Sequence, residues 1–215
     1  MNNSISFSRK LVWLTIWGLA FGFIEAAVVI YLRKLYYPDG FGFPAVLNHS
    51  DISTVELIRE FITLVIIWAV AEVSYRSWQA KLAVFMILFG VWDVFYYAVL
   101  KFFLKWPENF TTWDILFLLP SPWIGPVWAP ILVALSLAIA GVILLRKHEA
   151  GIKLQLDGKF WLFETVMGLL IITSFLIPGQ VVAKNAVPEM YPWYLFLLGY
   201  LPGFGVFLYR AKHTE

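Results

Sequence analysis

Six apolar stretches of near-membrane length follow one another along the chain, joined by loops too short to hold another domain. Crossing a bilayer takes about 20 mostly apolar residues as a helix. The stretches are 11–32, 54–75, 82–104, 124–145, 160–178 and 192–209. In lipid every backbone N–H and C=O needs a partner within the protein, so long apolar runs of this kind become helices. The expectation is an all-α, polytopic membrane helix bundle of six spans, with residues 1–215 as a single transmembrane domain. A secretory signal fits the first stretch poorly, because its apolar run is too long and no small-x-small cleavage site follows.

Composition supports the same reading. Charged residues make up 14% of the 215 and hydrophobic ones 61%. Soluble domains carry roughly 25% charged residues. A net charge of +2, not gathered in one basic block, gives no reason to expect nucleic acid as a partner. The chain has no cysteine, so disulfides, thiolate zinc sites and iron–sulfur ligation are excluded. Its histidines, His49, His148 and His213, all lie outside the apolar runs, so no haem is expected between spans.

Lys and Arg set the expected orientation. One set of loops and termini holds ten: Arg9, Lys10, Arg76, Lys81, Arg146, Lys147, Lys153, Lys159, Arg210 and Lys212. The other holds five: Arg33, Lys34, Lys101, Lys105 and Lys184. Both termini are therefore expected in the cytoplasm, with loops 33–53, 105–123 and 179–191 outside. A reporter fused after Glu215 should behave as cytoplasmic; an external signal would reject the orientation or the count. Trp and Tyr favour the interfaces, and Pro122-Trp123 and Pro192-Trp193 each read as the opening of a span entered from outside.

Between the third and fourth spans the pattern breaks. Thr111-Thr112-Trp113-Asp114 reads as a helix start, with Asp114 capping Thr111 reciprocally. Pro120, Pro122, Pro126 and Pro130 then deny helix regularity, since each lacks a donor and clashes one turn back. The expectation is a short half-helix over 111–119, then a proline-broken re-entrant or interfacial segment. Irregular backbone survives at membrane depth only when buried in protein or lining a cavity. Such segments either build a substrate site, as in transporters, or simply shape the fold.

Ionisable residues inside spans cost about 2.5–3.5 kcal/mol each and mark the candidate site. Glu25 lies about 21 Å into the first span at the helical rise. Gly18 and Gly22 precede it on the same face, where small residues admit a neighbouring helix. Glu56, Arg59, Glu60 and Thr63 follow an i, i+3, i+4, i+7 spacing and share one face of the second span. Ser53-Thr54-Val55-Glu56 reads as its capping box, and Arg59 can pair with Glu56. Asp93 is central in the third span, with Tyr96 and Tyr97 one turn on and no opposite charge within a turn. Glu25, Glu60 and Asp93 against Arg59 leave excess negative charge in low dielectric. The group must hold protons, bind a cation or bind a cationic ligand, unless it is a hydrogen-bonded network that fixes helix packing. Asp114 joins it in second rank, because Trp113-Asp114-Ile115 echoes Trp92-Asp93-Val94. Glu72 is expected to pair with Arg76. Glu164 sits in the first turns of the fifth span, where the helix dipole favours negative charge. His49 is expected in a solvated loop.

The runs GFIEAAVVIYL at 22–32, WDVFYY at 92–97 and WDILFLLPSPWIGPVWAP at 113–130 resemble bacterial polytopic integral-membrane proteins that carry no assigned activity. The resemblance implies the bacterial inner membrane and transfers no function. In size and span count the chain is also similar to the substrate-capture subunits of vitamin importers, an analogy of architecture without a shared motif. Three readings remain open. The first is a protein that binds or transports a cation or small solute. The second is a non-redox accessory subunit beside partner subunits in a larger respiratory or photosynthetic complex. The third is a membrane enzyme acting on lipid or quinone, which no nucleophile motif supports.

Overall fold

The apolar runs do become helices, and each extends past its run into capping residues. A computed structural model describes residues 6–43, 50–184 and 186–214, leaving the side chains of 50–53 aside. His49 lies outside the described residues. The helices are α1 (Phe7–Tyr36), α2 (Ser50–Ser74), α3 (Trp78–Leu104), α4 (Trp128–Glu149), α5 (Gly158–Val182) and α6 (Trp193–His213). Ser6 caps α1 by accepting from the Arg9 amide, and Asp157 caps α5 by accepting from the Phe160 amide at 2.8 Å. Five of these helices are long and apolar enough to cross a membrane. The molecule is a multi-pass membrane helix bundle.

The remaining helix, α2, carries Glu56, Arg59, Glu60 and Glu72. Its charges at 56–60 line the interior, while Val55, Ile58, Phe61, Ile62, Val65 and Ile66 cover the exposed side. Its 25 residues amount to about 37 Å of helix. Both ends of the described chain meet at one end of the bundle. There Lys10 of α1 pairs with Glu149 of α4 at 2.7 Å, and Tyr75, just past α2, donates to the same oxygen at 2.6 Å. Lys147 of α4 donates to the Thr214 carbonyl beyond α6. Six alternating traverses, α2 included, return the chain to the end where it began.

α3 is the axis of the bundle and packs on α1, α2 and α4. Lipid gives helices no hydrophobic reason to associate, so close backbone approach must supply the contact. Gly90 of α3 lies against the Ala134 carbonyl of α4, and Gly141 of α4 lies against Ala83 of α3, where an added Cβ would come within 2.7 Å of its oxygen. Gly18 and Gly22 of α1 do the same against Val91 and Trp92. α5 and α6 pair with each other, and this pair joins the rest through α6 on α4 and α5 on the connecting segment.

That connecting segment corrects the expected half-helix. Residues 113–117 are strand β1 (Trp113–Phe117), which pairs antiparallel with β2 (Trp123–Pro126). Asp114 faces Gly125 and Ile115 faces Ile124, with a bulge before Phe117. The Thr111 amide is taken by Asn109 Oδ1 at 2.9 Å, so Asp114 caps nothing. A hairpin satisfies backbone groups across its two strands, which a short half-helix followed by prolines cannot do. The prolines sit where ladder donors are not needed, at the tip (Pro120, Pro122) and at the last position of β2 (Pro126). The re-entrant segment is therefore a β-hairpin, and α4 starts at Trp128 and not at 124. Trp123 opens a strand, whereas Pro192-Trp193 does open α6. The capping box also moves: α2 begins at Ser50, which places Ser53 and Glu56 inside the helix.

Candidate functional site

α1, α2, α3 and the hairpin enclose a cavity of about 270 Å³ at the end of the bundle away from the termini. Glu25, Arg59, Glu60, Asp93, Tyr96, Tyr97 and Asp114 all line it. Each arrives there for a local reason. Gly18, Gly22 and Ala26 turn one stripe of α1 onto α3, and Glu25 lies on that stripe. The 56-59-60-63 face of α2 turns inward because its other faces are apolar. On α3, Phe89, Asp93, Tyr96 and Tyr97 follow helical spacing along one inward line.

The acids fall into two groups, engaged and free. Glu25 is buried and receives Arg59 Nη1 together with the Thr63 hydroxyl at 3.1 Å. Arg59 also forks onto Glu56, from Nε at 3.0 Å and Nη2 at 2.7 Å. Glu60 accepts the Leu118 amide of the hairpin tip at 2.8 Å. Asp114 is 1% exposed and is held by Arg33 Nη2 at 2.8 Å and by the Tyr97 hydroxyl at 3.1 Å. The Arg33 guanidinium lies over the rings of Trp106, at 3.7 Å, and Phe41, at 4.2 Å. Asp93 alone among these carboxylates has neither a hydrogen bond nor an ion pair within the described residues, and it faces the cavity.

One residue joins the site that the sequence expectation does not include, Arg33. Arg33 counts by sequence among the outward loop charges, yet it is 7% exposed in the last turn of α1. The signal was available: Arg33 continues the Gly18, Gly22, Ala26 stripe at helical spacing, where Lys34 does not. Its removal leaves four outward Lys and Arg and sharpens the charge asymmetry. Glu56 does not cap α2, but it pairs with Arg59 as its i, i+3 spacing predicts. Glu72 also differs from expectation, since it pairs with Lys81 across the α2–α3 turn and not with Arg76.

The cavity thus holds five carboxylates (Glu25, Glu56, Glu60, Asp93, Asp114) against two guanidiniums (Arg33, Arg59). Arg33 pairs with Asp114, Arg59 is shared between Glu25 and Glu56, and a backbone donor serves Glu60. The one carboxylate without a partner among the described residues is Asp93, which shares the cavity with several aromatic rings. Compared with family models, with curated proteins and with solved structures, the chain matches none. Among the described residues no three His, Asp or Glu side chains are grouped as metal ligands. Phe89, Trp92, Tyr96 and Trp123 present ring faces or edges to the same space. A carboxylate beside aromatic faces is the chemistry that holds an ammonium group, through charge on one side and cation–π attraction on the others.

Proposed function

We propose that the protein binds a small organic cation in this cavity and carries it across the bacterial inner membrane. The observation that carries this reading is Asp93, a buried-depth carboxylate without a partner that faces an aromatic cavity. An uncompensated charge at membrane depth is costly, and an incoming ammonium would offset that cost. The volume, about 270 Å³, sits at the small end of ligand pockets, which suits a ligand of few atoms. The asymmetry of Lys and Arg predicts cytoplasmic termini, and with them a cavity in the outward half of the bundle.

Benzylammonium is a suitable probe, with one ammonium and one ring. Trp92 and Trp123 line the cavity, so their fluorescence reports occupancy. Purified protein should bind benzylammonium about tenfold or more tighter than neutral benzyl alcohol, the ratio expected for a charge-assisted contact of about 1.5–3 kcal/mol. Equal affinity for the two would mean that the carboxylate is not read, and the proposal would fall.

A further inference from the structure

Trp123, Val133 and Phe175 line the first cavity, and they also line a second one of about 470 Å³. The Trp123 and Phe175 rings lie nearly parallel, 12° apart in plane, with centroids 6.3 Å apart. They form a two-ring partition. The second cavity runs between the α3–α4 face and the α5–α6 face and is apolar almost throughout. It contains one carboxyl, Glu164. Oε1 of Glu164 is buried and has no hydrogen-bond partner among the described residues. Gly203 makes room for this side chain, since a Cβ there would sit 3.3 Å from Oε2. The expected role of Glu164, a charge at the helix start, does not account for it. It lies about 9 Å into α5, past the first turn and away from the cap that Asp157 supplies.

Position decides what the second cavity can do. Along α5, Glu164 is about 16 Å from Phe175 toward the end of the bundle that bears the termini. Leu156 and Phe160, at the foot of α5, line it too. The two cavities therefore lie end to end, with the ring pair between them, and together reach most of the way through the bundle. Each has one carboxylate without a partner and a wall of rings, here Phe85, Phe160, Trp161 and Phe204.

We propose that the second cavity is an inner station for an organic cation, with Glu164 as its counter-charge and Trp123–Phe175 as the removable partition between stations. This rests on the reading of the first cavity. A cation with an apolar body would leave Asp93, pass the displaced rings and meet Glu164 before release. Without Glu164 it would face an apolar chamber with no opposite charge, which disfavours an unpaired cation.

Two measurements test this. In proteoliposomes, wild-type protein should take up benzylammonium, and Glu164→Gln should do so at least tenfold more slowly while melting within a few degrees of wild type. The second measurement needs no transport. The chain has no cysteine, and a Cβ at Gly168, one turn from Glu164 on the cavity wall, meets nothing within 4 Å. Gly168→Cys should react with aminoethyl methanethiosulfonate about tenfold faster than with its sulfonatoethyl counterpart, and adding Glu164→Gln should remove that preference. Unchanged uptake by Glu164→Gln, or a charge preference at Gly168→Cys that survives it, overturns the second station. Wild-type protein that binds benzylammonium but does not take it up overturns the path and the carriage, and leaves only binding at the first cavity standing. Absence of charge-dependent binding in wild type overturns both.

Discussion

Asp93→Asn lowers benzylammonium affinity about 100-fold in a protein that is at least as stable as wild type, because the loss is one charge-assisted contact of about 2–3 kcal/mol. The two halves of this expectation come from one observation. Asp93 has no partner within the described residues. The amide keeps the shape and gives up the charge, so nothing in the protein loses an ion pair. Removing an unpaired charge from membrane depth relieves a desolvation cost, which makes the folded state equal or better. A ligand ammonium, in contrast, loses its counter-ion. Tryptophan fluorescence titration and a thermal melt of the same sample read both halves. Asp93→Leu should also lose binding. Were Asp93→Asn to bind as wild type does while Asp93→Leu merely lowered the melting temperature, the side chain would be a packing element and the cavity no cation site.

Much of this arrangement was legible in the sequence, and the reason is the bilayer. Backbone satisfaction forces apolar runs into helices, so the number and order of α1 to α6 follow from run length alone. Glycine spacing then oriented α1, because Gly18 and Gly22 can serve only a close neighbour, and Glu25 went with them. The polar face of α2 oriented that helix in the same way. The hairpin was not legible. Trp113–Phe117 is short enough to read as a helix turn or as a strand, and only its pairing with 123–126 decides. Arg33 was hidden for a related reason. A cation at a helix end reads as an interfacial charge until its partner is known, and that partner, Asp114, lies on the hairpin. Misreading the hairpin and misplacing Arg33 are one error. Glu164 was visible as a residue, but its lack of a partner depends on how α6 meets α5 at Gly203.

The pair that tied those errors together should also carry the largest effect on stability. Replacing Asp114 by Leu leaves Arg33 buried with one of its guanidinium nitrogens newly unpaired, and Nη1 has no partner even now. Replacing Arg33 by Met leaves Asp114 with the Tyr97 hydroxyl and the Ile115 amide but no opposite charge. Breaking a buried pair from one side costs about 3–5 kcal/mol, since the remaining charge stays desolvated without compensation. Here the cost also falls on the fold, because Asp114 is the only residue of β1 that ion-pairs with a helix among the described residues. The double variant Arg33→Met with Asp114→Leu should recover most of that loss. Apolar side chains of similar size then fill the space under Trp106 and Phe41, and no charge is left to solvate. Unfolding of the four proteins in detergent, read as a double-mutant cycle, isolates the pairwise part. The functional consequence has a sign as well. Asp114→Leu alone leaves a free cation on the wall of the first cavity and should weaken benzylammonium binding, although Asp114 need not touch the ligand. The double variant removes that cation and should restore binding. Singles and double that are equally unstable would show that the two side chains matter for volume alone, and the charge balance argued for the cavity would lose its second support.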